Sequence, residues 1–353
     1  MAPHRSLAAL AALLLATISA SNVAVAAPAP PGPQTNTEEV RIPSEPGVVL
    51  AGTLHLPARK GPYSILILQT GSGLQKRGSY LSLQQRLNDA GIATIDFDKR
   101  GTGQSTGIFT DTMQDMEADL AATIKWLRMR GDIDGKRIAI LGHSQGAAAA
   151  PIVADRDGGL AAIVFLAGPV GESGTIFLDF MRDHLVESGH SADATNRVVS
   201  ATRAWMEARR HGAPGTEIAQ GRRAVVSAFV RAGFDPNAAE ATTKTIDTAQ
   251  VLSMYEAATG PALKRLRIPV LAVLAGRDQS PDANAAAATA ALAENPDALV
   301  VQVPGAGHLF VYRPADAPPN VTPPGGRWLF PETLIAHWLI ERLAPDGGNG
   351  AQR

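Results

Sequence analysis

The chain has no cysteine among its 353 residues, which excludes disulfides, a thiolate metal site and lipid attachment through cysteine. Cross-links being unavailable, a large buried core must hold the fold, and 45% apolar against 18% charged residues is enough to build one. No charge of one sign dominates: the formal net charge is −1 and the pI about 6.7. Nothing in that balance points to nucleic acid or an anionic membrane surface as a partner. No repeat of solenoid length is visible, and no apolar run reaches the roughly 20 residues needed to cross a bilayer. At this length the chain can form one large α/β domain with an insertion, or two smaller domains.

What is present begins with a leader. His4 and Arg5 give a basic start, Leu7 to Ala20 form an apolar run, and Ala24 and Ala26 stand in an A-x-A arrangement. That is the layout of a secretory signal peptide over residues 1–26, with cleavage expected between Ala26 and Ala27 and no stable membrane anchor. Export without cysteine suits a bacterial periplasm or medium. Residues 27–37 (APAPPGPQTNT) read as a flexible Pro-rich lead-in, and residues 346–353 as a disordered tail. Asn320-Val321-Thr322 is a formal glycosylation sequon among prolines.

Between them, strand-like and helical patterns alternate. Strands are expected at Glu39–Ile42, Val48–Leu56, Ser64–Leu68, Ala93–Phe97, Arg137–Leu141 and Ala162–Leu166. Helices are expected at Tyr80–Ala90, Met113–Met129 and from Gln145 to Val153. Unalternated apolar runs separated by helices are what a mostly parallel sheet covered on both faces requires. From 170 to 262 the rhythm gives way to helical spacing only. It resumes with strands at Pro269–Ala275 and Ala298–Val303 and helices at Asn284–Ala293 and Pro331–Leu343. The expected organisation is one α/β core in two parts, 38–169 and 263–345, interrupted by a helical insertion at 170–262 that would serve as a lid. Its apolar residues Phe177, Phe180, Met181, Trp205, Phe229 and Tyr255 fit the insertion's own core better than an acyl pocket.

One pentapeptide carries chemistry. Gly142-His143-Ser144-Gln145-Gly146 fits G-x-S-x-G and falls between a strand and an Ala-rich helix, where a nucleophile elbow belongs. Glycines relieve crowding at the sharp turn, and the helix that starts there aims its N–H groups at developing negative charge. Ser144 is therefore the candidate nucleophile, and it needs a base. Of eight histidines, His308 alone lies in a Gly-rich loop (PGAGHLF) after the last strand. His337 reads as a packed residue of the final helix. The base needs an orienting carboxylate. Asp278, in GRDQSPD after the strand PVLAVLAG, is the candidate, while Asp282 reads as an N-cap or first-turn acid of the next helix. The backbone N–H groups of Gln145 and of Ser72, in QTGSGLQKRG, are the candidate oxyanion donors, with Gly71 and Gly73 allowing close approach.

So assembled, the chain resembles the α/β-hydrolases, and most of all their serine-aminopeptidase-like or lysophospholipase-like branch. VVLAGTLHLP resembles the opening strand and GSGLQKRG the G-S-G-P-x-D-R loop. DFDKRGTGQSTG is similar to the D-x-R-G-x-G-x-S-x-G segment, GHSQG to the elbow and LKRLRIPVLAVLAGRD to the acid strand. GHLF resembles the base loop, and PETLIAHWL the last helix. The resemblance implies an α/β-hydrolase fold and a structural role for Arg100, Gly101 and Gly103 in a loop beside the site. Leu74 and Lys76 depart from it, standing where the family loop has proline and the acid that pairs with Arg77.

Three readings follow. The first is a secreted serine hydrolase of small-molecule carboxylic esters, working through an acyl-enzyme with no metal or organic cofactor. The second is a peptidase with the same machinery, for which Asp179, Asp183 and Glu187 could bind a substrate amino group, although a solvated helix face explains them as well. The third is an inactive binding scaffold, which an intact Ser-Asp-His set argues against. Nothing in the sequence speaks to oligomeric state.

Overall fold

The computed structural model describes residues 36–312, 314 and 327–344. The expected signal peptide, most of the lead-in, the Asn320 sequon and the tail lie outside the described residues. Two compact units divide the chain, Gly171–Ala258 and a sheet unit made of what flanks it.

The sheet unit holds eight strands: β1 (Asn36–Pro43), β2 (Val49–Leu56), β3 (Tyr63–Gln69), β4 (Ala93–Phe97), β5 (Ile133–His143), β6 (Ala162–Leu166), β7 (Val270–Ala275) and β8 (Ala298–Val303). Their order is β1-β2-β4-β3-β5-β6-β7-β8. The first two pairings are antiparallel and every other pairing is parallel. Its helices are α1 (Leu81–Asp89), α2 (Met113–Arg128), α3 (Gln145–Asp157), α9 (Thr259–Arg265), α10 (Pro281–Ala291) and α11 (Glu332–Leu343). The runs without polar alternation become the central strands because both faces of the sheet are covered. Along β3, Ile65 and Ile67 join one apolar cluster with Leu120 and Ile124 of α2, while Leu66 and Leu68 join another with Leu83 of α1 and Leu339 of α11. Successive side chains thus feed two cores on opposite faces. Thr112 caps α2 by accepting a hydrogen bond from the Asp115 N–H, and Met113, Met116, Leu120, Ile124 and Leu127 bury its apolar stripe.

Three boundaries differ from the sequence reading. Asn36 and Thr37, expected in the flexible lead-in, pair with Leu56 and His55 in β1, because the partner strand is long enough to fix them. β5 starts at Ile133, not Arg137; its polar opening, Asp134-Gly135-Lys136, hides it from a hydropathy pattern. α9 belongs to the sheet unit, where the sequence places the end of the insertion at 262. His337, expected to be packed, is exposed on α11, whose buried stripe is Ile335, Ala336, Trp338, Leu339 and Leu343.

The helical unit comprises α4 (Thr175–Glu187), α5 (Ala192–Arg210), α6 (Gly215–Arg231), α7 (Pro236–Ile246) and α8 (Ala249–Glu256). Ser191, Asp235 and Thr248 cap α5, α7 and α8. Phe177, Met181, Trp205, Phe229 and Tyr255 form its core, while Phe180 is only half-buried. Asp179 and Glu187 are exposed along α4.

Candidate active site

The site is built where β5 ends. Ser144 adopts φ 57°, ψ −119°, a conformation that costs a non-glycine residue of order 1–3 kcal/mol. It is held there by its N–H donating to the Leu166 carbonyl at 2.9 Å. The flanking glycines have a steric cause. A Cβ on Gly146 would lie 2.6 Å from the carbonyl oxygens of Gln69 and Thr70, and one on Gly142 would strike the Gly146 backbone. The turn is therefore possible only with glycine on both sides.

β7 and β8 lie side by side in parallel, so the loops after them open on one sheet edge, the carboxyl edge at which β5 also ends. Asp278 follows β7 and His308 follows β8. The structure joins all three predicted residues: His308 Nδ1 lies 2.7 Å from Asp278 Oδ2, and His308 Nε2 lies 2.9 Å from Ser144 Oγ. With the Nδ1–H donating to the carboxylate, Nε2 is left to accept from the serine hydroxyl. Asp278 Oδ1 also accepts from the Gln279 N–H at 2.9 Å. Asp282 sits in the first turn of α10 and takes no part.

Charge follows this geometry. Burial opposes a charged His308, yet the Asp278 carboxylate more than offsets it and raises its pKa above the ordinary 6.5. Burial likewise opposes a charged Asp278, and His308 with the Gln279 N–H holds its carboxyl below the usual range. Each partner favours the ionised form of the other, as a base that becomes an imidazolium during reaction requires.

The candidate donors flank the same point. Gln145 opens α3, so its N–H has no intrahelical acceptor. A Cβ on Gly71 would approach the Ser144 Cβ to 2.9 Å, so only glycine lets the Gly71–Ser72 backbone come this near the serine. Ser72 is buried, and among the described residues its N–H has no acceptor.

Arg100 does not enter this set. Its guanidinium makes a bidentate pair with Asp119 at 2.9 and 2.7 Å and also donates to Asp115 and Glu45, tying its loop to α2. Arg77, lacking the loop acid, pairs instead with Glu39 at 2.9 Å. One residue the sequence left aside does join the site. His143 Nε2 lies 3.2 Å from the His308 carbonyl oxygen, with the rings 5.3 Å apart. Burial and the neighbouring His308 bring its pKa down to about 4, so it is neutral near pH 7 and can donate Nε2–H to that carbonyl. No pattern marks it, because the second position of G-x-S-x-G is variable. Among the described residues no group of three or more His, Asp or Glu side chains could hold a metal ion.

Residues 46–311 match the model of the X-Pro dipeptidyl-peptidase (S15) family, about three quarters of the chain. The chain belongs to the S15 family. This places the S15-family chain within the α/β-hydrolases that its sequence resembles, and the sheet is the fold of that superfamily. A thiohydrolase of Arthrinium phaeospermum is 29% identical over 123 residues, 34% of this chain and 39% of its own. An uncharacterised protein of Mycobacterium tuberculosis is 32% identical over 114 residues, 32% of this chain and again 39% of its own. The S15-family chain thus spans about two fifths of the length of these curated relatives. Among solved structures, a hypothetical protein of Pseudomonas aeruginosa has a TM-score of 0.57 at 18% identity, covering 89% of this chain and 96% of that one. An esterase of Pyrococcus furiosus has a TM-score of 0.52 at 15% identity, covering 88% and 92%. At such identities the shared property is the fold.

Proposed function

We propose that this α/β-hydrolase cleaves carboxylic esters through Ser144, His308 and Asp278. The observation that carries the reading is the unbroken hydrogen-bond chain from Ser144 Oγ through His308 to Asp278. Ser144 Oγ attacks the acyl carbon as its proton passes to His308 Nε2, and the C=O π pair moves onto oxygen. The N–H groups of Ser72 and Gln145 receive that oxyanion. Collapse expels the alkoxide, which takes the proton from His308 and leaves as the alcohol. Water then enters, giving one proton to His308 and its oxygen to the acyl carbon, and the acid departs as Oγ regains a proton.

The choice of bond has its own support. A peptidase that trims free N-termini needs an uncommitted acid for the substrate ammonium. Among the described residues Asp278 pairs with His308, and Asp111, whose backbone oxygen accepts from Gln145 Nε2, pairs with Lys99, so neither is uncommitted. An esterase needs no such group. The S15 match over residues 46–311 favours a second reading, hydrolysis after an Xaa-Pro unit with the same residues.

The test compares purified protein from Ala27 onward with its Ser144→Ala variant, on p-nitrophenyl esters from acetate to palmitate and on Xaa-Pro p-nitroanilides. Ester turnover that disappears in the variant is the expected result. Turnover of the anilides alone would move the assignment to the peptidase, and no serine-dependent turnover of either would remove both. Export, with cleavage after Ala26, is part of the proposal and is checked by the N-terminal mass of the protein recovered outside the cytoplasm. The lid role of the helical unit is also a proposal, supported by its place in the chain between β6 and β7.

A further inference from the structure

A lysine is an expensive residue to bury beside a catalytic loop. Lys99 is 6% exposed and Asp111 5%, and their side chains are in direct contact as an ion pair. Burial drives the lysine pKa down and the aspartate pKa up, so the pair works against its surroundings. Such pairs are often no more stabilising than apolar groups of the same size, which asks for another reason to have one here.

Its other contacts supply that reason. Lys99 Nζ donates to the carbonyl oxygen of Gly71 at 3.0 Å. That oxygen and the Ser72 N–H belong to one peptide unit. Because the unit is planar and trans, its C=O and N–H point in opposite directions, so an ammonium on the oxygen fixes where the N–H points. A cation at the oxygen also polarises the unit and makes the N–H a stronger donor. Asp111 completes the frame from the other side: its Oδ2 accepts from the Gly73 N–H at 2.8 Å. Its backbone oxygen accepts from Gln145 Nε2 at 2.9 Å, so one residue ties both candidate donor segments together. Asp111 itself sits at φ 55°, a left-handed conformation uncommon for a residue with a Cβ.

We propose that Lys99 and Asp111 are positioning residues for the oxyanion hole, with the Lys99 ammonium orienting and polarising the Gly71–Ser72 peptide so that the Ser72 N–H binds the transition-state oxyanion. The proposal rests on the reading of Ser144 as the nucleophile. Lys99 touches no substrate; it acts through the Ser72 N–H.

The test measures kcat and KM per active site, with sites counted by a fluorophosphonate. The main variant is the double substitution Lys99→Met/Asp111→Asn, which removes both charges at near-constant volume and keeps an acceptor for the Gly73 N–H. Removing a whole oxyanion donor costs about 10²–10³ in kcat. Loss of its support is expected to cost less, about 10- to 50-fold in kcat with KM within a factor of about three, because the interaction strengthens only in the transition state. Affinity for a trifluoromethyl ketone, whose serine adduct carries the oxyanion, is expected to fall in parallel with kcat/KM. A merely structural pair would lower the number of titratable sites and leave kcat per site intact. Asp111→Asn alone keeps the ammonium on Gly71 and is expected to lose less than the double variant. Wild-type kcat per site in the double variant, or equal losses in both, would overturn the proposal. Failure of the wild type to label or turn over would instead overturn the underlying reading of Ser144.

Discussion

The sheet unit and the helical unit treat buried polar atoms differently. In the sheet unit Gln69, Arg77, Gln84, Asn88, Asp96 and Gln145 each have one buried polar atom without a partner among the described residues, but each side chain is held through another of its polar atoms. In the helical unit the buried atoms without a partner among the described residues include the hydroxyls of Thr195, Thr202 and Thr242 and the indole N–H of Trp205, the single polar atom of each side chain. One region is fixed by directed bonds around charged residues. The core of the other packs about Trp205, Phe229 and Tyr255, with the Tyr255 hydroxyl donating to Glu207 Oε1 at 2.6 Å. Directed bonds fix orientation to a few tenths of an ångström, which chemistry needs; apolar packing tolerates change in shape.

The comparison can be sharpened most at Ser144. Ser144→Ala should cut ester turnover by about 10⁵- to 10⁶-fold, as removal of a serine nucleophile does elsewhere, while the melting temperature changes little, because alanine keeps the Cβ and the backbone conformation of the elbow. Asp278→Asn should cost about 10³–10⁴ in kcat through the wrong histidine tautomer. It should also shift the pH profile. The base must be neutral, so the rate falls as pH drops through the His308 pKa, which Asp278 holds above the ordinary value. The acid limb of wild-type kcat/KM should therefore have its midpoint above 6.5.

Stability should show the same split. Arg100→Met leaves the buried Asp119 carboxylate without its bidentate partner and should destabilise by about 3–5 kcal/mol in denaturant titration. Thr202→Val in the helical unit removes a fully buried hydroxyl that has no partner among the described residues. It should be neutral or stabilise by up to about 1 kcal/mol. Equal losses at the two positions would erase the distinction between the units.

Much of this was legible in the sequence because the informative signals are local. The elbow needs two glycines within two residues of the serine, and apolar runs such as ILIL and VLAVLA mark buried strands directly. Asp278 could be found because it follows such a run, and His308 because it lies in a Gly-rich loop after ALVVQV, the partly exposed edge strand β8. What escaped depends on distant pairing. Asn36 and Thr37 read as a loop because the strand that orders them lies some twenty residues on. His143 matters only through a carbonyl 165 residues away. The contact of Lys99 with Asp111 joins two loops with no period between them, and its target, the Gly71 carbonyl, is a backbone atom no composition can mark.

The account stands or falls on Ser144 as a nucleophile activated by His308. Intact-mass analysis after treatment with a fluorophosphonate tests this directly, with peptide mapping of the adduct and with His308→Gln and Ser144→Ala alongside. The expected result is a single adduct on Ser144, absent from Ser144→Ala and formed at least a hundredfold more slowly in His308→Gln, in keeping with a general-base contribution of about 10²–10⁴. Labelling at another residue, or at an undiminished rate without His308, would contradict it.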